Sequence, residues 1–345
     1  MGGCKRCEET MIDKSMYWKP NRILSYNRVL NYVIGGRGIG KTTGMKIYTT
    51  NRFLKHNEQF MYLKRYKTDI KNLAPKFFNT VKSEFEGVQF SNKGNQLKIN
   101  DKNAGLILPL SAWQSVKADE FKDVTTIIYD EFLLEDSSNQ IYLDDEARAL
   151  LNLMDTVIRN RDDVRVICLA NAVSITNPHF TYFKITPDSS KEFNKYDNIV
   201  VEIPDSKDFA SARRKTKFGQ LIDGTEYGEF SLDNKFTADI PVFIEKRSKS
   251  SKFQFSVIYQ GMTIGIWVDK ERHLMYMSND HDPKTNYRFA LTPNDHNIGN
   301  TLLTTHRDNY FLKKLVSAYK QGLLRFDNQV LRNVGYDIFR KMNIR

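Results

Sequence analysis

Residues 35–42 read Gly-Gly-Arg-Gly-Ile-Gly-Lys-Thr and fit the pattern G-x-x-x-x-G-K-[ST] at every fixed position. The apolar residues 28–34 before them predict a short strand, and a helical pattern follows from Lys41 to about Leu54. A strand, a glycine-rich turn and a helix in this order suit phosphate binding. The glycines let backbone N–H groups face the anion, and the helix offers its positive amino end. The stretch therefore predicts an α/β fold built around a nucleotide site.

The side chains of this motif specify the expected ligands. Lys41 is expected to reach the β- and γ-phosphates, and the Thr42 hydroxyl to bind Mg²⁺. The sequence therefore predicts ATP and Mg²⁺ as cofactors. The predicted nucleotide-binding residues are Gly35, Gly36, Arg37, Gly38, Ile39, Gly40, Lys41, Thr42 and Thr43.

A second motif follows about 90 residues later, where the apolar residues 125–129 end in Asp130 and Glu131. Asp130 is expected to hold Mg²⁺ through water, and Glu131 to orient and deprotonate the attacking water. Nucleotide kinases do not need such a glutamate. The nearest match to the Asn-Lys-x-Asp motif of GTPases, residues 234–237, lacks the aspartate. The pair favours an ATP hydrolase of the additional-strand, catalytic-glutamate (ASCE) class.

Such enzymes also place a polar sensor and a cation beside the γ-phosphate. The buried-type run 164–170 ends in Asn171, which suits a sensor, although an asparagine in a turn is equally expected there. Arg159, after an amphipathic helical pattern over 145–159, is a candidate cation expected near the same sheet edge. Lys117 is a second candidate. From composition alone, either residue is more often a surface cation.

The remaining patterns before residue 207 alternate between strands and helices, which predicts a mostly parallel sheet with helices on both faces. The further predicted strands are 59–65, 88–90, 96–100, 106–110 and 199–203, and a further predicted helix is 68–86. We expect an ATPase domain over 1–207 and a linker or small helical insert over 208–240. A C-terminal domain is expected over 241–345.

The C-terminal domain has a period of two and then two helical patterns, which predicts an α+β fold. The expected strands are 242–247, 253–260, 263–269 and 273–277, and the expected helices are 305–321 and 327–342. A two-metal nuclease needs about three or four converging carboxylates. The region's candidates, mostly in polar segments, are Asp269, Asp280, Asp282, Asp295 and Asp308. We therefore expect no cleavage, and a nucleic-acid or RNA docking role for Lys246, Arg247, Lys249 and Lys252.

The formal net charge of +11 is compatible with a polyanionic partner, although charge alone does not choose one. The basic run 213–217 is as compatible with a solvated helix face as with a nucleic-acid contact. No apolar run is long enough to span a membrane, and residues 1–20 lack an apolar signal-peptide core. With three cysteines in no disulfide framework, the sequence predicts a soluble, cytosolic protein. Cys4 and Cys7 could be half of a zinc site, but inconsequential tail chemistry is the favoured interpretation.

Several longer stretches resemble the DNA-packaging (encapsidation) ATPases of phi29-like small tailed bacteriophages, over nearly the whole chain after the first dozen residues. They are residues 38–41 (GIGK), 109–115 (PLSAWQS), 150–157 (LLNLMDTV), 203–206 (IPDS), 221–229 (LIDGTEYGE), 243–249 (FIEKRSK) and 324–330 (LRFDNQV). Residues 1–11 depart from the family pattern as an extension.

The resemblance implies a homopentameric ring at the portal vertex of an empty prohead, in the host cell cytoplasm. The ring would translocate double-stranded DNA inward using ATP, and would dock through a structural RNA. Position by position, Lys41, Asp130 and Glu131 match the family's catalytic residues, and Arg159 and Lys117 match its trans-acting cations. The family's C-terminal domain resembles an RNase-H-like nuclease without its catalytic carboxylates. Two alternatives stay open: a full terminase with active endonuclease, and a nucleotide-gated nucleic-acid-binding module with little turnover.

Overall fold

A computed structural model of the protein describes residues 13–115, 121–135, 140–173, 177–231, 243–303, 305–307 and 309–344. The chain divides into two compact units. The first takes the described residues of Met1–Glu135, Ala149–Val173 and Pro187–Thr237, and the second those of Asp136–Arg148, Ser174–Thr186 and Ala238–Arg345. The second unit thus includes two segments that come from within the predicted ATPase domain.

A nine-stranded sheet forms the core of the first unit. Its strands are β1 (Leu30–Gly35), β2 (Gln59–Lys64), β3 (Phe90–Lys93), β4 (Gln96–Ile99), β5 (Lys102–Pro109), β6 (Val124–Asp130), β7 (Arg165–Asn171), β8 (Phe193–Lys195) and β9 (Ile199–Glu202). They lie in the order β3-β4-β5-β2-β6-β7-β1-β9-β8. The six neighbouring strands β5, β2, β6, β7, β1 and β9 pair in parallel. The antiparallel strands β3 and β4 lie at one edge of the sheet and β8 at the other. Since β7 lies between β1 and β6, the additional strand of the ASCE class is present.

The buried middle strands explain why this sheet forms. Every residue of β1 is buried, and so are the last five residues of both β2 and β6. Strands that are buried on both faces need helices above and below them, which is the usual arrangement of a parallel sheet. The parallel register brings the carboxyl ends of β1, β6 and β7 to one edge, with Gly35 opposite Asn171. This edge carries the candidate site.

Eight α-helices occur among the described residues up to Ser231. They are α1 (Asn21–Leu24), α2 (Lys41–His56), α3 (Lys67–Ile70), α4 (Glu146–Ile158), α5 (Pro178–Phe183), α6 (Lys207–Arg214), α7 (Lys217–Ile222) and α8 (Glu226–Ser231). Three of them, α6 to α8, form the described part of the predicted linker or helical insert.

The single helix predicted over 68–86 is wrong. Its place is taken by α3 and two 3₁₀ helices, Ala74–Thr80 and Lys82–Glu84. Asn72 has a φ of +61°, which ends the first helix, and Pro75 opens the second. A proline disfavours the α conformation of the residue before it, so one continuous helix cannot cross this point.

The second unit contains a six-stranded sheet and two long helices. Its strands are β10 (Lys252–Tyr259), β11 (Met262–Asp269), β12 (Leu274–Ser278), β13 (Arg288–Ala290), β14 (Thr301–Leu302) and β15 (Leu324–Phe326), and its helices are α9 (Tyr310–Lys320) and α10 (Gln329–Lys341). The order is β14-β13-β10-β11-β12-β15. β10, β11 and β12 are antiparallel, and β13 and β14 continue in parallel beside β10, as in an RNase-H-like sheet.

Two features of the second unit differ from the sequence expectation. Residue 242 of the strand predicted over 242–247 lies outside the described residues, and the remainder forms only an isolated bridge between Ile244 and Phe326, because Phe243 leaves the extended region with a φ of +65°. The short strands β13 to β15 carry too few residues for a periodic signal and were not predicted. No helix in the described part of the chain is long and apolar enough to cross a bilayer.

Candidate functional site

The loop between β1 and α2 has the geometry of a phosphate cradle. Gly38 and Gly40 both have a φ of +86°, a conformation that costs glycine little and other residues more. Gly40 caps α2, a helix of 16 residues whose first residue is Lys41. Ile39 is buried and anchors the loop to the core, while Arg37 is exposed. The loop can therefore present backbone N–H groups and a helix amino end to an anion.

Lys41 lies inside this cradle. Its Nζ donates hydrogen bonds to the carbonyl oxygens of Gly35 (2.9 Å) and Gly36 (2.8 Å), and to Asn171 Oδ1 (3.3 Å). Burial lowers the pKa of Lys41 to about 8, although the carboxylates of Asp130 and Glu135 favour its charged form. The three hydrogen-bond partners of Lys41 are neutral oxygens, so the ammonium can exchange them for negatively charged phosphate oxygens.

Thr42 and Asp130 meet at the carboxyl end of β6. The Thr42 hydroxyl lies 3.1 Å from Asp130 Oδ1, and Tyr62 of the neighbouring strand β2 donates its hydroxyl to Asp130 Oδ2. Burial and the adjacent carboxylate raise the pKa of Tyr62 well above its ordinary value, so it remains a donor. A hydroxyl and a carboxylate oxygen this close are hard ligands of the type that Mg²⁺ prefers.

Glu131 follows Asp130 in the left-handed region, with a φ of +60°, and its side chain is 71% exposed. Lys64, at the end of β2, contacts both carboxylates, with Nζ 2.9 Å from Glu131 Oε2 and 3.3 Å from Asp130 Oδ2. Burial disfavours the charge of Lys64, but the two carboxylates more than offset this, and the pKa of Lys64 is raised. The site thus contains a buried cation that offsets part of the charge of the acidic pair.

Sequence reasoning did not find Tyr62 or Lys64. One signal was available: a lysine that ends an otherwise apolar strand in a parallel sheet lies at the edge where ligands gather. The pairing of β2 with β6, which brings these side chains to Asp130, could not be deduced from the sequence pattern.

Asn171, at the end of β7, connects the cradle to a further carboxylate. Its Nδ2 donates to Glu135 Oε1 at 2.7 Å, while its Oδ1 accepts from Lys41. Glu135 Oε2 lies 3.6 Å from Arg37 Nη1. The structure therefore places Asn171 beside the cradle, as a γ-phosphate sensor requires, and adds Glu135, which the sequence analysis missed.

The position expected for Arg159 is wrong. α4 runs back along the sheet, so Arg159 follows it near the amino ends of the strands, opposite the edge with the P-loop. Its neighbour Arg161 marks this place by donating to the carbonyl oxygens of Lys122 and Val124, at the start of β6. Arg159 is exposed there. Lys117 lies outside the described residues.

Thr43 lines a cleft of about 980 Å³ that begins at the P-loop and follows α2. Its wall beside the loop includes Tyr17, Gly38 and Gly40.

Of the basic run 213–217, Arg213 reaches the P-loop, where Nη1 donates to the carbonyl oxygen of Arg37 at 2.7 Å. Arg213 is therefore not simply a solvated surface cation, because it contacts the P-loop.

The carboxylates of the second unit are occupied by structural partners. Asp269 accepts the hydroxyls of Ser248 and Ser250 and two backbone N–H groups, and these bonds lower its pKa to about 2, the Ser248 hydroxyl contributing most. Asp295 accepts the backbone N–H groups of Gln260 and Gly261. The described residues contain no group of three or more His, Cys, Asp or Glu side chains that could hold a metal ion.

The other carboxylates and the basic cluster of this unit have simple surroundings. Asp280 pairs with Arg247, and Asp282 accepts the backbone N–H of Lys284. Arg247 lies 3.9 Å from the centre of the Trp267 ring. It lines a small pocket of about 380 Å³ together with Lys246, Lys249, Asp327 and Asn328, and Lys252 is exposed at the start of β10. Asp308, Cys4 and Cys7 lie outside the described residues.

Comparison with known sequences gives one consistent result. The family model of the podovirus DNA encapsidation protein (Gp16) matches residues 12–344. The DNA packaging protein of Bacillus phage phi29 is 54% identical over 334 residues, which cover 96% of this chain and 100% of the relative. That of Bacillus phage B103 is 54% identical over 322 residues, covering 93% of this chain and 100% of the relative.

Solved structures agree with the sequence matches. The phi29 viral genome packaging motor assembly contains a chain that aligns with a TM-score of 0.71 at 52% identity, covering 95% of this chain and 99% of that one. The crystal structure of the N-terminal domain of the phi29 DNA packaging ATPase covers 56% of this chain and 99% of that one, with a TM-score of 0.53 and 49% identity. The Phi-28 gp11 packaging motor shares the fold, with a TM-score of 0.66 at 18% identity over 95% of this chain and 98% of that one. The chain therefore belongs to the podovirus DNA encapsidation protein (Gp16) family.

Proposed function

We propose that this chain is the ATP-hydrolysing subunit of a motor that moves double-stranded viral DNA into a preformed prohead. The observation that carries the proposal is the meeting of Lys41 and Thr42 with Asp130 and Glu131 at one edge of the sheet, in a chain whose relatives are DNA packaging proteins. Cradle, metal ligands and base together are the parts that nucleoside triphosphate hydrolysis needs.

The side chains divide the reaction between them. Glu131 accepts a proton from the water that attacks the γ-phosphorus, and the bond from this phosphorus to the β–γ bridging oxygen breaks, which leaves ADP and phosphate. Lys41 binds the phosphate oxygens, and Thr42 and Asp130 would hold Mg²⁺. The metal ion would neutralise the charge that develops on the phosphates. Lys64 pairs with both carboxylates and offsets part of their negative charge.

Asn171 acts as the γ-phosphate sensor in this proposal. Its amide lies between Lys41 and Glu135, so a γ-phosphate that attracts Lys41 also changes the partners of Asn171. Arg37, which faces Glu135 at 3.6 Å, would respond to the same charge. The nucleotide state would thereby be read by three side chains from three different segments.

Arg159 is proposed as a finger that acts on the site of a neighbouring subunit. In its own subunit it follows α4 at the sheet edge opposite the cradle, which supports a role in trans. Lys117 is proposed as the second trans-acting cation. Both roles require a ring, and the family resemblance suggests five subunits, docked at the portal vertex through a structural RNA in the host cytoplasm.

The second unit is proposed to bind nucleic acid or RNA without cutting it. Lys246, Arg247 and Lys249 line one pocket and offer the positive charge that phosphate backbones attract. Asp269 and Asp295, the carboxylates that a nuclease would need, accept several backbone and hydroxyl hydrogen bonds each. This arrangement disfavours a full terminase with active endonuclease.

Plasmid incubated with the protein and Mg²⁺ or Mn²⁺ separates these possibilities. We expect the plasmid to remain intact. Cleavage that is lost in Asp269→Asn or Asp282→Asn would show that the second unit is a nuclease instead.

DNA-stimulated phosphate release tests the motor. We expect turnover that rises on adding double-stranded DNA and vanishes in Lys41→Ala and Glu131→Gln. Lys14→Ala, which removes an exposed ion pair with Glu84, is the matched lysine control and should keep parental turnover. A parent protein that binds ATP but releases no phosphate would favour the nucleotide-gated binding module.

A further inference from the structure

Two groups hold the P-loop from the side that faces away from the phosphate cradle. Arg213 of α6 donates from Nη1 to the carbonyl oxygen of Arg37 at 2.7 Å. The backbone N–H of Trp18 donates to the carbonyl oxygen of Ile39 at 2.8 Å. The two carbonyls belong to alternate peptides of the same short loop.

The geometry of the peptide bond gives these contacts a consequence. In a trans peptide the C=O of one residue and the N–H of the next point in opposite directions. A carbonyl of Arg37 that is held outward therefore turns the N–H of Gly38 inward, and the carbonyl of Ile39 does the same for Gly40. Both glycines have a φ of +86°, the left-handed conformation that alternates with right-handed residues in an anion-binding nest.

The surroundings of Arg213 fix it in this place. Phe209, one helical turn before it, packs on the Tyr17 ring at a centroid distance of 5.5 Å, and Tyr17 in turn lies against Gly40. A Cβ on Gly38 would lie 3.4 Å from Arg213 Nη1, which is van der Waals contact, so the guanidinium lies directly against this glycine. These contacts join α6 to the outer face of the loop.

The charge of Arg213 also remains available to the site. Within the described residues its hydrogen bonds go to two carbonyl oxygens, those of Arg37 and of Ser231 at 3.3 Å, and no carboxylate pairs with it. Its neighbour Arg214, by contrast, pairs with Asp223. A guanidinium without a carboxylate leaves a net positive charge beside a loop that receives phosphate.

We propose that Arg213 is a positioning residue for the nucleotide, which orients the Arg37–Gly38 peptide so that the Gly38 N–H faces the phosphates. The inference deepens the proposed function and rests on it only in that the loop binds a nucleotide. Because the nest receives phosphates that ATP and ADP share, Arg213 strengthens the binding of both. It does not take part in the chemical step.

Equilibrium binding of fluorescent ATP and ADP to the full chain tests this role. In Arg213→Gln we expect Kd for both nucleotides to rise about tenfold, the usual weight of one hydrogen bond to a charged group. The kcat at saturating ATP should stay within about twofold, so the loss should appear in KM. Lys215→Gln removes the same charge from an exposed neighbour and should bind both nucleotides like the parent.

The results separate the alternatives. Arg213→Gln with both Kd values within about twofold of the parent overturns the proposal, and so does weakening for ATP alone, which would indicate a γ-phosphate contact. If Arg213→Gln does not fold, Arg213→Lys decides: a Kd for ADP raised at least about threefold supports the proposal, and an unchanged Kd contradicts it. A parent that binds nucleotide without hydrolysing it would refute the motor while leaving this comparison intact.

Discussion

The two units of the protein use carboxylates in opposite ways. In the first unit, Asp130 accepts the hydroxyls of Thr42 and Tyr62, and both Asp130 and Glu131 pair with Lys64. In the second unit, Asp269 receives two serine hydroxyls and two backbone N–H groups. The first arrangement is made by side chains, which a metal ion and a water can displace, whereas the second includes backbone donors that are fixed in place.

This difference teaches how to recognise a carboxylate that can take part in chemistry. An aspartate count would rank the second unit as a nuclease candidate, since Asp269, Asp280, Asp282 and Asp295 all lie there. The hydrogen bonds show that at least two of them stabilise turns. A carboxylate whose lone pairs already accept two or more backbone N–H groups has little left to offer a cation.

The largest effect is expected from paired carboxylate-to-amide changes in the two units. Asp130→Asn should lower ATP turnover about 1,000-fold, because it removes the charge that holds the metal ion. Asp327→Asn, which loses a carboxylate bonded to the Arg247 N–H and the Ser278 hydroxyl, should leave turnover per folded molecule unchanged. Phosphate release measures both, and equal losses would erase the contrast between the units.

Subunit mixing gives the next largest effect and tests whether the first unit is complete by itself. Arg159→Ala and Glu131→Gln should each be nearly inactive alone. Mixed in equal amounts they should regain turnover at roughly a quarter of the interfaces, where an intact finger meets an intact base. Phosphate release that stays at the level of the separate variants would make Arg159 a structural residue or one that acts in cis.

A smaller effect is expected on stability when the shared lysine is removed. Lys64→Met leaves two neighbouring carboxylates without their cation, and should reduce the free energy of unfolding by about 3 kcal/mol at pH 7. Lys14→Met, which breaks the exposed pair with Glu84, should change it by less than about 0.5 kcal/mol. Urea titration measures both variants, and similar values would show that Lys64 is not needed to balance the acidic pair.

The smallest effect concerns Asp269 and depends on pH. Its pKa is lowered to about 2 in the folded protein, chiefly by the Ser248 hydroxyl, so it stabilises the fold above about pH 4, the ordinary aspartate value. That contribution is lost as the pH falls from about 4 to 2. Asp269→Asn should therefore lower the Tm at pH 7, and the difference from the parent should shrink toward pH 2.

Thermal unfolding followed by circular dichroism measures this change. Asp282→Asn, an exposed aspartate with one backbone N–H partner, is the control and should shift the Tm less at every pH. A difference for Asp269→Asn that is independent of pH would show that its hydrogen bonds do not depend on the charge.

The parts that could be predicted from the sequence are those whose signal is local. The P-loop, the acidic pair and Asn171 each lie at a strand end beside a recognisable pattern, and the structure brings Lys41, Asp130 and Asn171 together. Lys64, Glu135 and Arg213 could not be placed, because they reach the site through strand pairing or through packing of separate segments. Arg159 lies at the other end of the strands because of the direction of α4, which a local pattern does not show. Helix 68–86 failed at Asn72 and Pro75, where backbone conformation overrides periodicity.

The parallel pairing of β1 with β7 has a consequence for how such sites can vary. Gly35, where the loop departs, lies opposite Asn171, and five further residue pairs fix the same alignment. A slip of one residue would move the sensor by about 3.3 Å and turn its side chain to the other face of the sheet. Evolution therefore cannot change the distance between the loop and the sensor in small steps by shifting one strand along the other. Gradual adjustment is confined to the lengths and rotamers of the side chains that meet there.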